Sequence, residues 1–256
     1  MRPLFGPEGE AALAALVRAR PLLAFDFDGT LAPIVARPQQ ARPAHAVVQR
    51  LAALAQRLPV AVVSGRSVQD LRGRLGFAPR YLVGNHGAEG LPGAAVPAGT
   101  AALQALRGRL AAAQPALAAA GVTLEDKGAT LSLHYRLARD REAALQAVQR
   151  LLAPADAALH VFGGKLVVNV APLGAPDKAV AMQAIAQDCG ATAALFAGDD
   201  LNDEPVFAAA PESWLTVRVG CDGPRSLARW YLAGPAEMPL LLQRVLALLD
   251  APLKAG

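Results

Sequence analysis

Cysteine and lysine are both scarce in this chain of 256 residues. Two cysteines, Cys189 and Cys221, make neither a disulfide framework nor a paired-cysteine metal site, and they point to reduced thiols in a cytoplasmic protein. No lysine-rich run or basic arm is present. The net charge of +4 is carried mostly by scattered arginines, which argues against nucleic acid as a partner and suits a small anionic one. A stretch of about 20 strongly apolar residues is also missing, so no membrane span is expected. The uncharged segments 90–106 and 110–124 are broken by proline and glycine. Near the start, Glu8 and Glu10 precede the apolar stretch where a secretory signal would need basic residues. What is abundant is apolar: 54% of residues are hydrophobic and 18% charged, which excludes a wholly disordered chain and suits one or two packed domains.

The order of elements divides the chain. Residues 11–19 read as a helix, and PLLAFDFDGT reads as a buried strand running into an acidic turn. A helix over 44–57, the strand of PVAVVSGR, a short helix near 67–75 and the strand of RYLVGNHG repeat the pattern. Apolar strands alternating with helices predict a parallel α/β sheet, whose ligands bind beyond the carboxyl ends of the strands. LPGAAVPAG then reads as a linker. A helix over 100–120 and the strands VTLEDK and ATLSLHYR follow, then a helix over 138–153 and the strands LHVFG and KLVVNVAP. This repeated unit predicts a small antiparallel α+β domain with one helix-covered face. Its strand 131–136 places Ser132, His134 and Arg136 on a polar face. The parallel pattern resumes with a helix over 177–188, the strand AALFAG, the turn DDLNDE, the strand LTVRVG and a helix near 236–249. The expected architecture is a Rossmann-like α/β core, 1–91 and 174–256, with an α+β domain, 92–173, inserted in it.

The residues that carry chemistry fall on the strand ends. Asp26 and Asp28 stand two apart, and Asp26 lies within the apolar pattern, where a buried carboxylate costs several kcal/mol unless it is paired or metal-bound. Two such carboxylates can divide the work of nucleophile and proton donor. Asp199, Asp200 and Asp203 form a second acidic cluster. Helix-terminal charge accounts for Asp203 but not for Asp199, which directly follows a strand. Hard oxygen ligands from two strand ends suit Mg²⁺. Of the four lysines, Lys127, Lys165 and Lys178 fall in these marked segments, and Lys178 stands at a helix start where it can neutralise an anion. Ser64 ends the second strand. Together these groups describe phosphoryl transfer to a carboxylate.

DFDGT, SGR, a later lysine and GDDLND, in that order, resemble the four motifs of the haloacid-dehalogenase-like phosphatases. That resemblance implies Asp26 as nucleophile and Asp28 as proton donor and later base. It implies a Mg²⁺ held by Asp26, the main-chain carbonyl of Asp28 and Asp199, with Asp200 and Asp203 behind them. Ser64 and Lys178 would hold the phosphoryl group. The segments GNHGAE, LEDKGATLSLHYR, GKLVVNVAP, DK and VRVG further resemble the trehalose-6-phosphate phosphatase family, with the inserted domain as its cap. By that resemblance Thr30, Gly65, Arg66, His86, Glu89, Lys127, His134, Arg136, Lys165 and Asn169 line the sugar-phosphate site. Where the family usually has a glutamate this chain has Asn169, and where it usually has a basic residue this chain has Ala171. The resemblance thus implies trehalose 6-phosphate as substrate of a monomer or weak dimer. Phosphatases of sucrose 6-phosphate or glucosylglycerol phosphate, a phosphomutase and a non-catalytic sugar-phosphate sensor stay open as alternatives. His45 and His160 read as structural.

Overall fold

A computed structural model describes residues 1–91, 99–153, 156–221 and 225–251. The linker read at LPGAAVPAG lies almost wholly outside the described residues, as does Lys254. The chain divides into two compact units, residues 1–92 with 177–256, and residues 93–176 inserted between those two stretches.

The elements of the first unit before the insertion are β1 (Arg2–Pro3), α1 (Pro7–Arg18), β2 (Leu22–Phe25), α2 (His45–Ala55), β3 (Val60–Val63), α3 (Val68–Arg72) and β4 (Tyr81–Val83). The inserted unit holds α4 (Thr100–Ala112), α5 (Gln114–Ala119), β5 (Thr123–Asp126), β6 (Leu131–His134), α6 (Arg141–Leu152), β7 (Leu159–Gly164) and β8 (Val167–Pro172). After it come α7 (Lys178–Asp188), β9 (Ala194–Gly198), α8 (Glu204–Ala209), β10 (Trp214–Val219), β11 (Trp230–Leu232) and α9 (Met238–Asp250).

The first unit is built on a parallel sheet in the order β1-β11-β10-β9-β2-β3-β4. Its strands are continuous apolar runs because both faces are covered. Leu23 and Phe25 of β2 pack into one cluster with α1, α2 and α9, through Leu13, Leu51 and Leu241 among others. Leu22 and Ala24 face the opposite cluster with Met182 and Ile185 of α7 and Phe207 of α8. The chain winds one way from β2 through β3 to β4, and the other way from β9 outward. The carboxyl ends of β2 and β9 therefore flank the point where strand order reverses, the usual place for a ligand in an open α/β sheet.

The inserted unit is an antiparallel sheet in the order β5-β6-β8-β7. Leu131, Leu133, Val168 and Val170 point to the side covered by Leu103, Leu106 and Leu110 of α4, Leu117 of α5 and Val148 and Leu152 of α6. The fold is thus α/β with an inserted α+β unit, as expected, and no described helix is long and apolar enough to cross a membrane.

Several local readings change. The helix expected over 100–120 breaks at Ala113, because Pro115 occupies the first turn of α5 and has no N–H to continue the ladder. Helix α6 starts at Arg141 rather than 138, where the Asp140 carboxylate accepts from the Ala143 N–H at 2.9 Å. The expected polar face of 131–136 also differs. Ser132 is fully buried, and the strand ends at His134, so Arg136 lies in the following turn. Strands β1 and β11 had no sequence signal, being two and three residues long.

Candidate active site

Strand β2 runs through Phe25 into Asp26, whose N–H still donates to the Ala197 carbonyl of β9 at 2.9 Å. This leaves the Asp26 carboxylate 4% exposed at the strand end. From α7, the Lys178 Nζ donates to Asp26 Oδ1 at 2.8 Å and to Asp203 Oδ1 at 2.7 Å. Asp199 completes the group: ligand oxygens of Asp26, Asp199 and Asp203 lie within 4.8 Å of one another. Two glycines make room for this packing. A Cβ on Gly29, which sits at φ +81°, would fall 2.0 Å from Asp199 Oδ2, and one on Gly198 would fall 2.3 Å from the Asp203 carboxyl.

Two of the three buried carboxylates thus share the Lys178 ammonium. Burial, with Asp203 and Asp199 adding to it, pushes the Asp26 pKa well above the ordinary carboxylate value against the pull of Lys178. Burial alone would lower Lys178, but Asp203 and Asp26 outweigh it and raise its pKa. Both shifts follow from burying carboxylates beside one another and beside one ammonium. An all-oxygen donor set of this kind fits a hard divalent ion. Asp203 has both oxygens engaged, one by Lys178 and the other by the Asp200 N–H at 2.9 Å, so it backs the site from behind. Asp200 turns away from the trio. Its side chain caps the short turn Leu201–Asp203, accepting from the Leu201 N–H at 2.8 Å.

Asp28 stands apart from this group. The Arg66 guanidinium grips both its oxygens, Nε to Oδ2 at 2.6 Å and Nη2 to Oδ1 at 2.8 Å. Thr30 is fully buried and its Oγ1 has no hydrogen-bond partner among the described residues, a situation that costs about 1–3 kcal/mol unless a ligand relieves it. At the end of β3, Ser64 is 1% exposed and its Oγ accepts from the Arg66 N–H at 3.3 Å. The turn after β4 is strained. Asn85 and His86 both have left-handed φ, +51° and +59°, conformations that cluster at functional sites. The His86 ring lies against Gly65, where a Cβ would fall 2.3 Å from Cε1. Glu89 braces the turn, its Oε2 accepting from the Val68 N–H at 3.0 Å and from Asn85 Nδ2 at 2.7 Å.

In the inserted unit His134 and Asn169 lie on the sheet face opposite the helices, Lys127 directly follows β5, and Arg136 and Lys165 lie in turns. Across the strands, Glu125 pairs with Ser132, Ser132 with Asn169, and Asn169 with Phe162. The Ser132 hydroxyl donates to Asn169 Oδ1 at 2.7 Å, while Asn169 Nδ2 is buried with no partner among the described residues. Glu125 Oε2 lies 2.7 Å from His134 Nε2 and 3.7 Å from Lys127 Nζ. Lys165 is exposed, and Arg136 Nη2 donates to its carbonyl at 3.3 Å.

A profile of the family described as trehalose-phosphatase matches residues 24–223, from the end of β2 past β10. The chain belongs to the trehalose-phosphatase family. It is 38% identical over 205 residues to an uncharacterized glycosyl hydrolase of Mycobacterium tuberculosis, covering 75% of this chain and 15% of that one. It is 32% identical over 239 residues to a trehalose-phosphate phosphatase of Mycobacterium marinum, covering 86% of this chain and 60% of that protein. The chain therefore spans about a seventh and three-fifths, respectively, of the length of these curated relatives. In fold it is similar to the C-terminal domain of a trehalose-6-phosphate phosphatase from C. albicans, with a TM-score of 0.78 at 20% identity, covering 96% of this chain and 98% of that one.

Within this family member, sequence reading passed over four groups that the structure ties to the site residues. Asp70 and Arg74 brace Arg66, and the spacing of 66, 70 and 74 is the i,i+4 signal of a helix face. Arg218, inside the apolar strand β10, donates to the Asp200 carbonyl at 3.0 Å and so pins the acidic loop. A charge in a buried strand is itself a signal that a partner waits. Glu125 stands two residues before Lys127, on the face that strand alternation gives both.

Proposed function

We propose that this chain is a cytoplasmic, Mg²⁺-dependent phosphatase that hydrolyses trehalose 6-phosphate to trehalose and phosphate. The observation that carries the reading is Asp26, buried at the sheet's reversal point, held by Lys178 and crowded by Asp199 and Asp203 in a chain of the trehalose-phosphatase family. We assign catalysis to the parallel-sheet unit, 1–91 and 174–256, and choice of sugar to the inserted unit, 92–173, acting as a cap.

Lys178 fixes Oδ1 of Asp26, so Oδ2 is the oxygen that attacks phosphorus. The bond from phosphorus to the sugar oxygen breaks as the Asp26–phosphorus bond forms, and Asp28 gives its proton to the departing oxygen. Asp28 then takes a proton from water, which opens the aspartyl-phosphate and frees phosphate. Lys178 has three N–H donors and uses two on carboxylates, which leaves one for a phosphoryl oxygen. The Ser64 hydroxyl and the buried Thr30 hydroxyl are the neutral donors on this side. Asp26 and Asp199 would hold Mg²⁺ together with the Asp28 main-chain carbonyl, with Asp203 behind them. Bound there, the ion supplies positive charge beside the trio.

For the sugar, Glu125, His134 and Asn169 offer donors and acceptors on one sheet face, with Lys127 beside Glu125. Scattered charge and two unpaired cysteines support a cytoplasmic monomer or weak dimer acting on a free sugar phosphate, without nucleic acid or membrane. The test is phosphate release with Mg²⁺ from trehalose 6-phosphate, glucose 6-phosphate, sucrose 6-phosphate and glucosylglycerol phosphate. We expect a preference for trehalose 6-phosphate of about a hundredfold, roughly 2.7 kcal/mol of discrimination. Phosphate release with no such preference would overturn the sugar and leave the phosphoryl chemistry standing. Asn169 is the residue to examine then, since one missing charged hydrogen bond is worth roughly 1.5–3 kcal/mol.

A further inference from the structure

Every guanidinium nitrogen of Arg66 is engaged by the protein. Nε and Nη2 hold the two oxygens of Asp28. Nη2 also donates to the Pro38 carbonyl at 2.8 Å, and Nη1 donates to Asp70 Oδ2 at 2.7 Å. The guanidinium carbon stands 5.3 Å from the centre of the Phe27 ring, and the residue as a whole is 8% exposed. Asp70, in turn, is held from the far side. Arg74 Nε donates to its Oδ2 at 2.6 Å and Nη2 to its Oδ1 at 2.5 Å. Arg74 also reaches the Gln39 carbonyl at 2.5 Å, beside the Pro38 carbonyl that Arg66 uses. The chain of groups Asp28–Arg66–Asp70–Arg74 thus alternates in sign and runs from the motif after β2 to the back of α3.

The order of these contacts matters. A guanidinium is a planar fork, and once Nη1 is fixed on Asp70 the Nε–Nη2 edge has one direction to face. That direction is Asp28. A carboxylate offers about four lone-pair sites, and Arg66 takes two. One lone pair on each Asp28 oxygen therefore remains for a proton while the arginine fixes the plane of the group. A proton donor must be aimed at its acceptor to be effective, and a general acid is worth about 10²–10⁴ in rate when it is.

We propose that Asp70 is a positioning residue for the phosphatase reaction: acting through Arg66, it sets the plane in which Asp28 delivers its proton to the leaving oxygen. The inference rests on the reading of Asp28 as that proton donor. It predicts a signature that a purely structural role would lack. A sugar alkoxide is a poor leaving group and needs the proton as the bond to phosphorus breaks, whereas p-nitrophenolate leaves without it. Loss of aim should therefore penalise the alkyl ester selectively. The parameter to compare is kcat/KM, which reports transfer to Asp26 and not the later hydrolysis common to both esters.

The experiment measures kcat/KM with Mg²⁺ for trehalose 6-phosphate and p-nitrophenyl phosphate in the parent chain and in Asp28→Asn, Asp70→Asn, Asp70→Glu and Arg74→Gln, with thermal unfolding of each. We expect Asp28→Asn to lower the alkyl-to-aryl ratio by about a hundredfold and Asp70→Asn by about tenfold. Asp70→Glu should recover part of the ratio. Arg74→Gln releases the same brace without touching Arg66. It should lower the unfolding temperature about as much as Asp70→Asn while moving the ratio less than about twofold. A ratio that falls in Asp28→Asn but not in Asp70→Asn overturns the positioning role alone. A ratio unmoved in Asp28→Asn overturns the reading of Asp28, and the role of Asp70 with it. If Asp70→Asn does not fold, Asp70→Glu and Arg74→Gln carry the test: equal ratios in both overturn the proposal.

Discussion

The two units of this chain display candidate functional groups in opposite ways. At the ends of β2 and β9, Asp26, Lys178, Asp199 and Asp203 are each less than a tenth exposed, Lys178 bonded to Asp26 and Asp203 and the three carboxylates within 4.8 Å of one another. On the inserted sheet, the side chains of Glu125 and His134 are 45% and 27% exposed and meet at 2.7 Å, with the more buried Lys127 3.7 Å from Glu125. Burial makes the first group rigid, strongly coupled and intolerant of change. Exposure makes the Glu125–His134 contact adjustable, an interaction that water and salt weaken. That division suits the proposed roles, a chemical step common to every phosphate ester in one unit and a choice among sugars in the other.

The largest expected effect therefore belongs to the parallel-sheet unit. Asp26→Asn removes the oxygen proposed to attack phosphorus and should lower kcat by more than about a thousandfold. The same change should leave the fold intact or raise its unfolding temperature. An amide keeps an oxygen for Lys178 while relieving the crowding of three carboxylates. Phosphate release and calorimetry on one preparation check both halves. Turnover near the parent rate would remove Asp26 from the nucleophile's role, and marked destabilisation would show that the crowding is not the cost inferred here.

A smaller, selective effect is expected from the inserted unit. Lys127→Ala should raise KM for trehalose 6-phosphate by about tenfold, a loss near 1.4 kcal/mol, and change KM for p-nitrophenyl phosphate far less. Steady-state kinetics on both esters decide it. Equal changes would move Lys127 off the sugar face and erase the contrast between the units.

The same contrast explains what could be read from the residues alone. Asp26, Ser64 and Asp199 were legible because a polar residue at the end of a buried strand breaks a strong apolar pattern, and three such breaks point to one edge of one sheet; Lys178 stood out as a rare lysine at a helix start. The parallel sheet was legible for the same reason, except β1 and β11, whose two and three residues are too short to show a pattern. In the inserted unit the reading was weaker. Ser132 was read onto a polar strand face, yet it is buried and its hydroxyl donates to Asn169, which alternation along one strand cannot reveal. Arg66 was assigned to the substrate by resemblance, whereas its partners Asp28, Pro38 and Asp70 come from three separate stretches of chain that only the fold brings together.

The smallest effect concerns acid, and it compares one ion pair from each unit. In the parallel-sheet unit burial alone would raise the Asp70 pKa, but hydrogen bonds from Arg74 and Arg66 outweigh it and lower the value. In the inserted unit the hydrogen bond from Arg107 lowers the Asp126 pKa, with burial opposing. A carboxyl whose pKa is lowered on folding stabilises the fold above its unfolded value, about 3.9, and loses that contribution as the pH falls through the folded value. Stability should therefore decline below about pH 4, and both Asp70→Asn and Asp126→Asn should flatten that decline. The two should part company in salt. The Asp126 side chain is 42% exposed and its pair is a surface one, worth about 0–1 kcal/mol, so its share should shrink when the ionic strength is raised to 1 M. Asp70 is gripped from both sides by arginines whose side chains are 9% and 8% exposed, so its share should persist. Denaturant titrations at pH 7 and pH 3, in low and high salt, measure each share. If salt reduces both shares alike, the Asp28–Arg66–Asp70–Arg74 chain is no better shielded than a surface bridge, and the rigidity ascribed to it would have to come from packing alone.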